Sequence, residues 1–143
     1  MDKLDSDILA ALAADSSTPT ALLARRFGVA RSTVQARIER LKRKGTIAGF
    51  TIKLGDVALA RRIKATVLVQ VEARASTSVV QRIKAVPEVE IIHSTSGRFD
   101  LILQIAAETT GGLDKVLDDI GSIPGVRSSE SLIHLSTKLD RSI

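Results

Sequence analysis

Between Arg31 and Lys44, six basic side chains (Arg31, Arg37, Arg40, Lys42, Arg43, Lys44) stand against one carboxylate, Glu39. A cationic stripe on one element is the footprint of a polyanion partner. The residue types divide by chemistry. Arg pairs bidentately with guanine, Gln with adenine, and Ser or Thr with several acceptors, so Arg31, Ser32, Thr33 and Gln35 are the candidates for reading base edges. Arg37, Arg40, Lys42, Arg43 and Lys44 lie further along and suit phosphate, which sets affinity and register without reading sequence. Arg37 has a second possible role, an ion pair with Glu39 or with a carboxylate on another helix.

Other chemistries lack their residues. There is no Cys, which excludes disulfides, thiolate metal sites and Cys nucleophiles. The two histidines, His93 and His134, fall in apolar strands without companion ligands and read as core or interface residues. No Ser/His/Asp set has motif context, and Gly111-Gly112 lacks the lysine of a phosphate loop. The expectation is no catalytic residue, no metal, no cofactor and no enzyme. With three Phe and neither Trp nor Tyr, the chain has little on which single-stranded bases could stack. A helix fits the B-form major groove and not the narrow A-form one, so double-stranded DNA is the expected partner. No apolar run approaches the roughly 20 residues of a membrane span, and Met1-Asp2-Lys3-Leu4-Asp5 lacks a secretory layout. A cytoplasmic protein without membrane contact is expected.

The elements that must position the stripe follow from periodicity. Leu4, Ile8, Leu9 and Leu12 make one face of a first helix, Leu4–Ala14, with Asp5 and Asp7 in its opening turn where negative charge suits the helix dipole. Thr18 then Pro19 reads as an N-cap and first helical residue. Leu22, Leu23 and Phe27 give the second helix its buried face, and Gly28 ends it. Only Gly28-Val29-Ala30 intervenes before Val34, Ile38 and Leu41 mark a third helix over residues 31–43. Helices joined by so short a turn cross steeply, as in a helix-turn-helix. Ile47, Phe50 and Ile52 read as a following strand or wing. Residues 1–60 carry ten Lys/Arg against six Asp/Glu, whereas residues 61–143 carry eleven against ten, so the excess charge sits with this motif.

Beyond it the pattern is β-α-β-β-α-β: Lys64–Glu72, Ser76–Val86, Val89–Thr95, Phe99–Ala106, a helix around Leu113–Ile120, and a last strand within Val126–Leu139. This is the split βαβ order of a ferredoxin-like sheet. The fold class is therefore α+β, an N-terminal winged helix-turn-helix (residues 1–50), a linker strand (51–62) and a C-terminal ferredoxin-like domain (63–143). Strands apolar at nearly every position imply two covered faces, which two helices cannot supply. Sheet-to-sheet or edge-to-edge dimerisation is the expectation.

The motifs "GVARSTVQARIERLKRKGTIAGF" (Gly28–Phe50), "STSGRFDLILQI" (Ser94–Ile105), "IPGV" (Ile123–Val126) and "SSESLIHLSTKLD" (Ser128–Asp140), in that order, resemble the Lrp/AsnC (feast/famine) transcriptional regulators over essentially the whole chain. The resemblance implies a C-terminal RAM-type domain, homodimers assembling to tetramers or octamers, and a small-molecule effector, commonly an amino acid, held between dimers. It places the effector loop on Gly97, Arg98, Phe99 and Asp100, with walls from Ser94, Ser129 and Ser131. Asp100 would accept from an α-ammonium, while Arg98 or backbone N–H groups would hold an α-carboxylate. Three positions depart from the family pattern: Ala30 where a capping Ser is common, Phe99 where a hydroxylated aromatic is usual, and Ser17-Thr18 where an Arg is common. The alternatives carried are a siroheme-decarboxylase-like enzyme and a ligand-independent architectural DNA-binding protein.

Overall fold

The computed structural model describes all 143 residues, Met1–Ile143. It divides into two compact units, one built on Met1–Lys53 and the other on Leu54–Asp140.

In the first unit, helix α1 spans Lys3–Ala14 and is capped by Asp2, whose carboxylate accepts from the Asp5 N–H at 2.9 Å. Asp15 ends it and accepts from the Ser17 N–H and hydroxyl. Thr18 does not cap the next helix as expected. Its hydroxyl donates backwards to the Asp15 carbonyl at 2.8 Å, so α2 (Thr20–Phe27) begins one residue later, behind Pro19 and without a side-chain cap. Gly28 closes α2 at φ 66°, a left-handed conformation that costs glycine little. Helix α3 covers Arg31–Arg43, and Ala30 leaves its first turn without a side-chain cap. Ile8, Leu23, Ala24 and Val34 form the core, with Leu4, Leu12, Phe27 and Ile38 packed around them. Leu22, expected inside, is exposed, and Ala24 takes its place.

The expected wing and linker strand are absent. Residues 48–55 form no strand, and the linker instead contains a short helix, α4 (Asp56–Leu59). A strand is stable only when another strand satisfies its backbone groups. Gly49 interrupts the alternation, and no second strand lies in this unit. Ile52 and Val57 are left 79% and 89% exposed.

The second unit has the expected order: β1 (Ile63–Val71), α5 (Ser76–Lys84), β2 (Val89–Ser94), β3 (Leu101–Ala107), α6 (Thr110–Gly121) and β4 (Val126–Ile133). The strands pair antiparallel in the order β2-β3-β1-β4. Alternate residues of β1 (Ala65, Val67, Val69, Val71) and β3 (Leu101, Leu103, Ile105, Ala107) are buried with Val79 and Ile83 of α5 and Leu113, Val116 and Ile120 of α6. Pro124-Gly125 turns the chain hard against α5. A Cβ on Gly125 would stand 2.4 Å from that of Ala75, and the Glu72 N–H donates to the Gly125 carbonyl.

The other sheet face is not covered within the chain. Its centre (Thr66, Leu68, Ile102, Gln104) is half-buried, while Ile91 and Leu132 at its edges are exposed. Both histidines are exposed residues of this region, not core. His93 pairs with Ile102, and His134 contacts the Thr66 hydroxyl at 2.7 Å.

Candidate nucleic-acid interface and effector loop

Val34 and Leu41 anchor α3 inward, which leaves Arg31, Ser32 and Gln35 exposed at its N-terminal end, with Thr33 half-buried. Lys42, Arg43 and Lys44 are exposed at the other end. Lys42 reaches Glu39 at 3.5 Å in an exposed pair, an interaction too solvated to hold the ammonium firmly.

Arg37 and Arg40 behave differently, and for Arg37 the ion pair with a carboxylate on another helix is formed. The Arg37 guanidinium donates to the carboxylates of Asp2 and Asp5, the latter at 3.1 Å. Arg40 donates to the other Asp5 oxygen at 2.6 Å. Asp5 is 1% exposed, the one buried charged side chain of the chain. Burial opposes its ionisation, but the hydrogen bonds from Arg37 and Arg40 outweigh that and hold its carboxyl below the usual range. Asp2 is drawn from 3.8 to about 2, first by Arg37 and then by the Asp5 N–H. The same bonds raise the Arg37 pKa. Two of the six cations of the stripe are thus committed to α1. Sequence reading took Asp5 as a dipole partner and passed over Asp2.

The β2–β3 loop is held by its own residues and by β1. The Thr95 N–H donates to the Asp100 carbonyl at 2.9 Å, and the Thr95 hydroxyl to the Phe99 carbonyl at 2.7 Å. The Asp100 N–H donates to the Val69 carbonyl, and its carboxylate accepts from the Val71 N–H at 2.8 Å. The second contact has a clear cause. The β3 ladder begins only at Leu101 opposite Val69, so Val71 extends past its neighbour and the Asp100 side chain supplies the missing acceptor. Gly97 lies at φ 124°, where side-chain-bearing residues are strained, yet a Cβ there would meet no atom within 4 Å. The Arg98 guanidinium lies 5.5 Å from the Phe99 ring centre.

The expected effector residues are brought together only in part. Gly97, Arg98, Phe99 and Asp100 form one loop. Ser94 of β2 pairs with Leu101 of β3, whereas Ser129 and Ser131 of β4 pair with Val69 and Val67 of β1. Those strands are opposite edges of the sheet, three inter-strand steps of about 4.8 Å apart. Gln70, which sequence reading did not single out, does reach the loop, and Ser128 reaches Gln70. Gln70 donates to the Arg98 carbonyl at 2.7 Å and accepts from the Ser128 hydroxyl at 2.7 Å. No group of three or more His, Cys, Asp or Glu side chains is placed to hold a metal ion, and no helix is long and apolar enough to cross a membrane.

Residues 1–42 match the AsnC-type helix-turn-helix domain, and residues 64–143 match the Lrp/AsnC ligand binding domain. The HTH-type transcriptional regulator FL11 of Pyrococcus horikoshii is 32% identical over 96% of this chain and 91% of its own length. The HTH-type transcriptional regulator LysM of Saccharolobus solfataricus is 32% identical over 96% and 95%. The E. coli AsnC structure superposes with a TM-score of 0.90 at 28% identity, covering 100% of this chain and 97% of that one. A Neisseria meningitidis transcriptional regulator in complex with L-Met has the same fold, with a TM-score of 0.88 at 22% identity over 98% and 93%. With both halves matched in order and relatives aligned over nearly their full length, the chain belongs to the Lrp/AsnC family of helix-turn-helix transcriptional regulators.

Proposed function

We propose that this regulator lays the N-terminal end of α3 in the major groove of double-stranded DNA. Arg31, Ser32, Thr33 and Gln35 read base edges, and Lys42, Arg43 and Lys44 contact phosphate. Arg37 and Arg40 set the attitude of the helix through Asp2 and Asp5. The observation that carries this reading is the split of the stripe into exposed cations at the ends of α3 and carboxylate-bound ones in its middle.

The effector is an amino acid, received at Gly97–Asp100. The L-Met bound by the Neisseria relative supports that chemical class. Ser94 and the pair Ser129/Ser131 occupy opposite sheet edges, so a site containing all of them takes its parts from more than one copy. The half-covered sheet face, with exposed Ile91 and Leu132 at its rim, supports a homodimer formed through it, with dimers joining into tetramers or octamers. The working division is a DNA-binding domain (residues 1–50), a linker (51–62) and an assembly and effector domain (63–143). The protein acts in the cytoplasm, without membrane contact, metal or catalytic step.

The test is selection of bound duplexes from a random library, followed by titration with each of the twenty amino acids while DNA affinity and particle mass are recorded. A recovered sequence motif together with an amino acid that moves either readout supports the reading. Uniform binding of all duplexes, or indifference to every amino acid, overturns the corresponding half.

A further inference from the structure

Gln70 belongs to the sheet, not to the loop it touches. It alternates with buried Val69 and Val71, so its side chain lies on the open face of the sheet. There it stands opposite Ser128 of β4, at the last regular position before the β1–β4 register shifts between Gln70 and Val71. Both ends of its amide are engaged: Oε1 accepts from the Ser128 hydroxyl and Nε2 donates to the Arg98 carbonyl, each at 2.7 Å.

The direction of this chain matters. The Arg98 carbonyl can only accept, so it fixes which end of the amide is NH2, and the Ser128 hydroxyl, able to donate or accept, then donates to Oε1 and braces the amide in that orientation. The anchors supplied by Thr95 and Asp100 hold the ends of the β2–β3 loop. Gln70 reaches its tip, beside a glycine whose backbone lies in the left-handed half of conformational space.

We propose that Gln70 is a positioning residue for effector binding, with Ser128 bracing its amide so that the tip of the Gly97–Asp100 loop is held in its receptive shape. This rests on the reading that the loop receives an amino acid. One amide then belongs both to the open face and to the effector loop. A second copy seated on that face and a ligand seated in the loop act on the same group, and their coupling is equal in both directions.

The test uses the full chain and four variants: Gln70→Glu, Gln70→Leu, Ser128→Ala and the double variant Gln70→Glu/Ser128→Ala. Glutamate keeps the length and the acceptor but cannot donate to the Arg98 carbonyl. Hydrogen exchange without ligand is read at the Thr95, Asp100 and Val71 amides, the protected N–H groups that tie down the loop. Amino-acid affinity, DNA affinity without amino acid, and particle mass are measured alongside.

Gln70→Glu and Gln70→Leu should speed exchange at these amides several-fold and weaken amino-acid binding by about five-fold, the scale of one net hydrogen bond. Basal DNA affinity should stay unchanged. Ser128→Ala should give a smaller shift in the same direction, and the double variant should match Gln70→Glu alone. Unchanged exchange in both Gln70 variants overturns the proposal, as does strict additivity of the two substitutions. If exchange responds as described but no amino acid binds the unmodified protein, positioning of the loop stands and the effector reading falls.

Discussion

The carboxylate of Asp5 and the guanidinium of Arg40, 35 residues apart in sequence, meet at 2.6 Å, with the carboxylate 1% exposed and the arginine 39% exposed. Arg37, 26% exposed, takes the other oxygen. Removing one member of a buried charge set is costly because the remaining charges lose their compensation. Asn at position 5 keeps the shape and loses the charge. Asp5→Asn is therefore expected to lower the melting temperature, followed by helical circular dichroism, by roughly 10 °C, a value reduced from the fully buried case because both arginines reach solvent. A melt unchanged within about 2 °C would show that the triad adds nothing to stability.

Asp2 is more exposed than Asp5, with its side chain 53% accessible, and it holds the same arginine. Replacing it by Asn releases Arg37 from one of its two carboxylates, and a freed guanidinium on α3 is one more candidate for phosphate. Asp2→Asn should strengthen binding to random duplex DNA and steepen the salt dependence, log affinity against log salt, by up to about 0.9, the increment for one phosphate contact. A slope unaltered by this change would place Arg37 away from the nucleic acid altogether.

The helices and the sheet order were legible because each rests on a short-range period: Val34, Ile38 and Leu41 for α3, and Val67, Val69 and Val71 for β1. The clamp was half legible. Asp5 lies in register with Ile8 and Leu12 on the buried side of α1, and a carboxylate there requires a cation. The identity of that cation depends on how α1 meets α3, which no local period records. The anchors of the β2–β3 loop were hidden for the same reason: Gln70 lies 28 residues from Arg98 and 58 from Ser128. The wing was misread because alternation at Ile47, Phe50 and Ile52 marks a chain able to pair, whereas pairing needs a second strand.

The acid response follows from the lowered Asp2 pKa. Its carboxyl titrates near 3.8 when unfolded and at about 2 in the fold. The stability this provides is complete above the unfolded value and is lost as pH falls through the folded one. The difference in melting temperature between the unmodified chain and Asp2→Asn should be constant from neutral pH to about 5, shrink as pH falls further and be lost only below about pH 2. A difference that changes between pH 6 and 8 would point to another titrating partner.

Along α3 the division of labour predicts two kinds of loss. Arg31→Ala or Gln35→Ala should cost about 1–3 kcal/mol on the preferred duplex and little on random DNA. Lys42→Ala or Arg43→Ala should weaken binding to both and reduce the salt slope by about 1. Competition binding at several salt concentrations separates these outcomes. Equal losses on all sequences from all four changes would remove base reading from the N-terminal end of the helix.

Asp100 carries two roles that substitution can separate. One carboxylate oxygen accepts from the Val71 N–H and holds the loop, while its charge is the proposed partner of an α-ammonium. Asn retains a carbonyl acceptor for Val71 but not the charge, and Ala retains neither. If the charge recognises the effector, Asp100→Asn should leave protection of the Val71 amide intact and weaken amino-acid binding by roughly ten-fold or more, the scale of a charge-assisted hydrogen bond. Asp100→Ala should lose both protection and binding. The alternative is an Asn variant that binds the amino acid as tightly as the unmodified protein. Asp100 would then serve the backbone of β1 alone, and the ammonium partner would have to be sought among the carboxylates of a neighbouring copy.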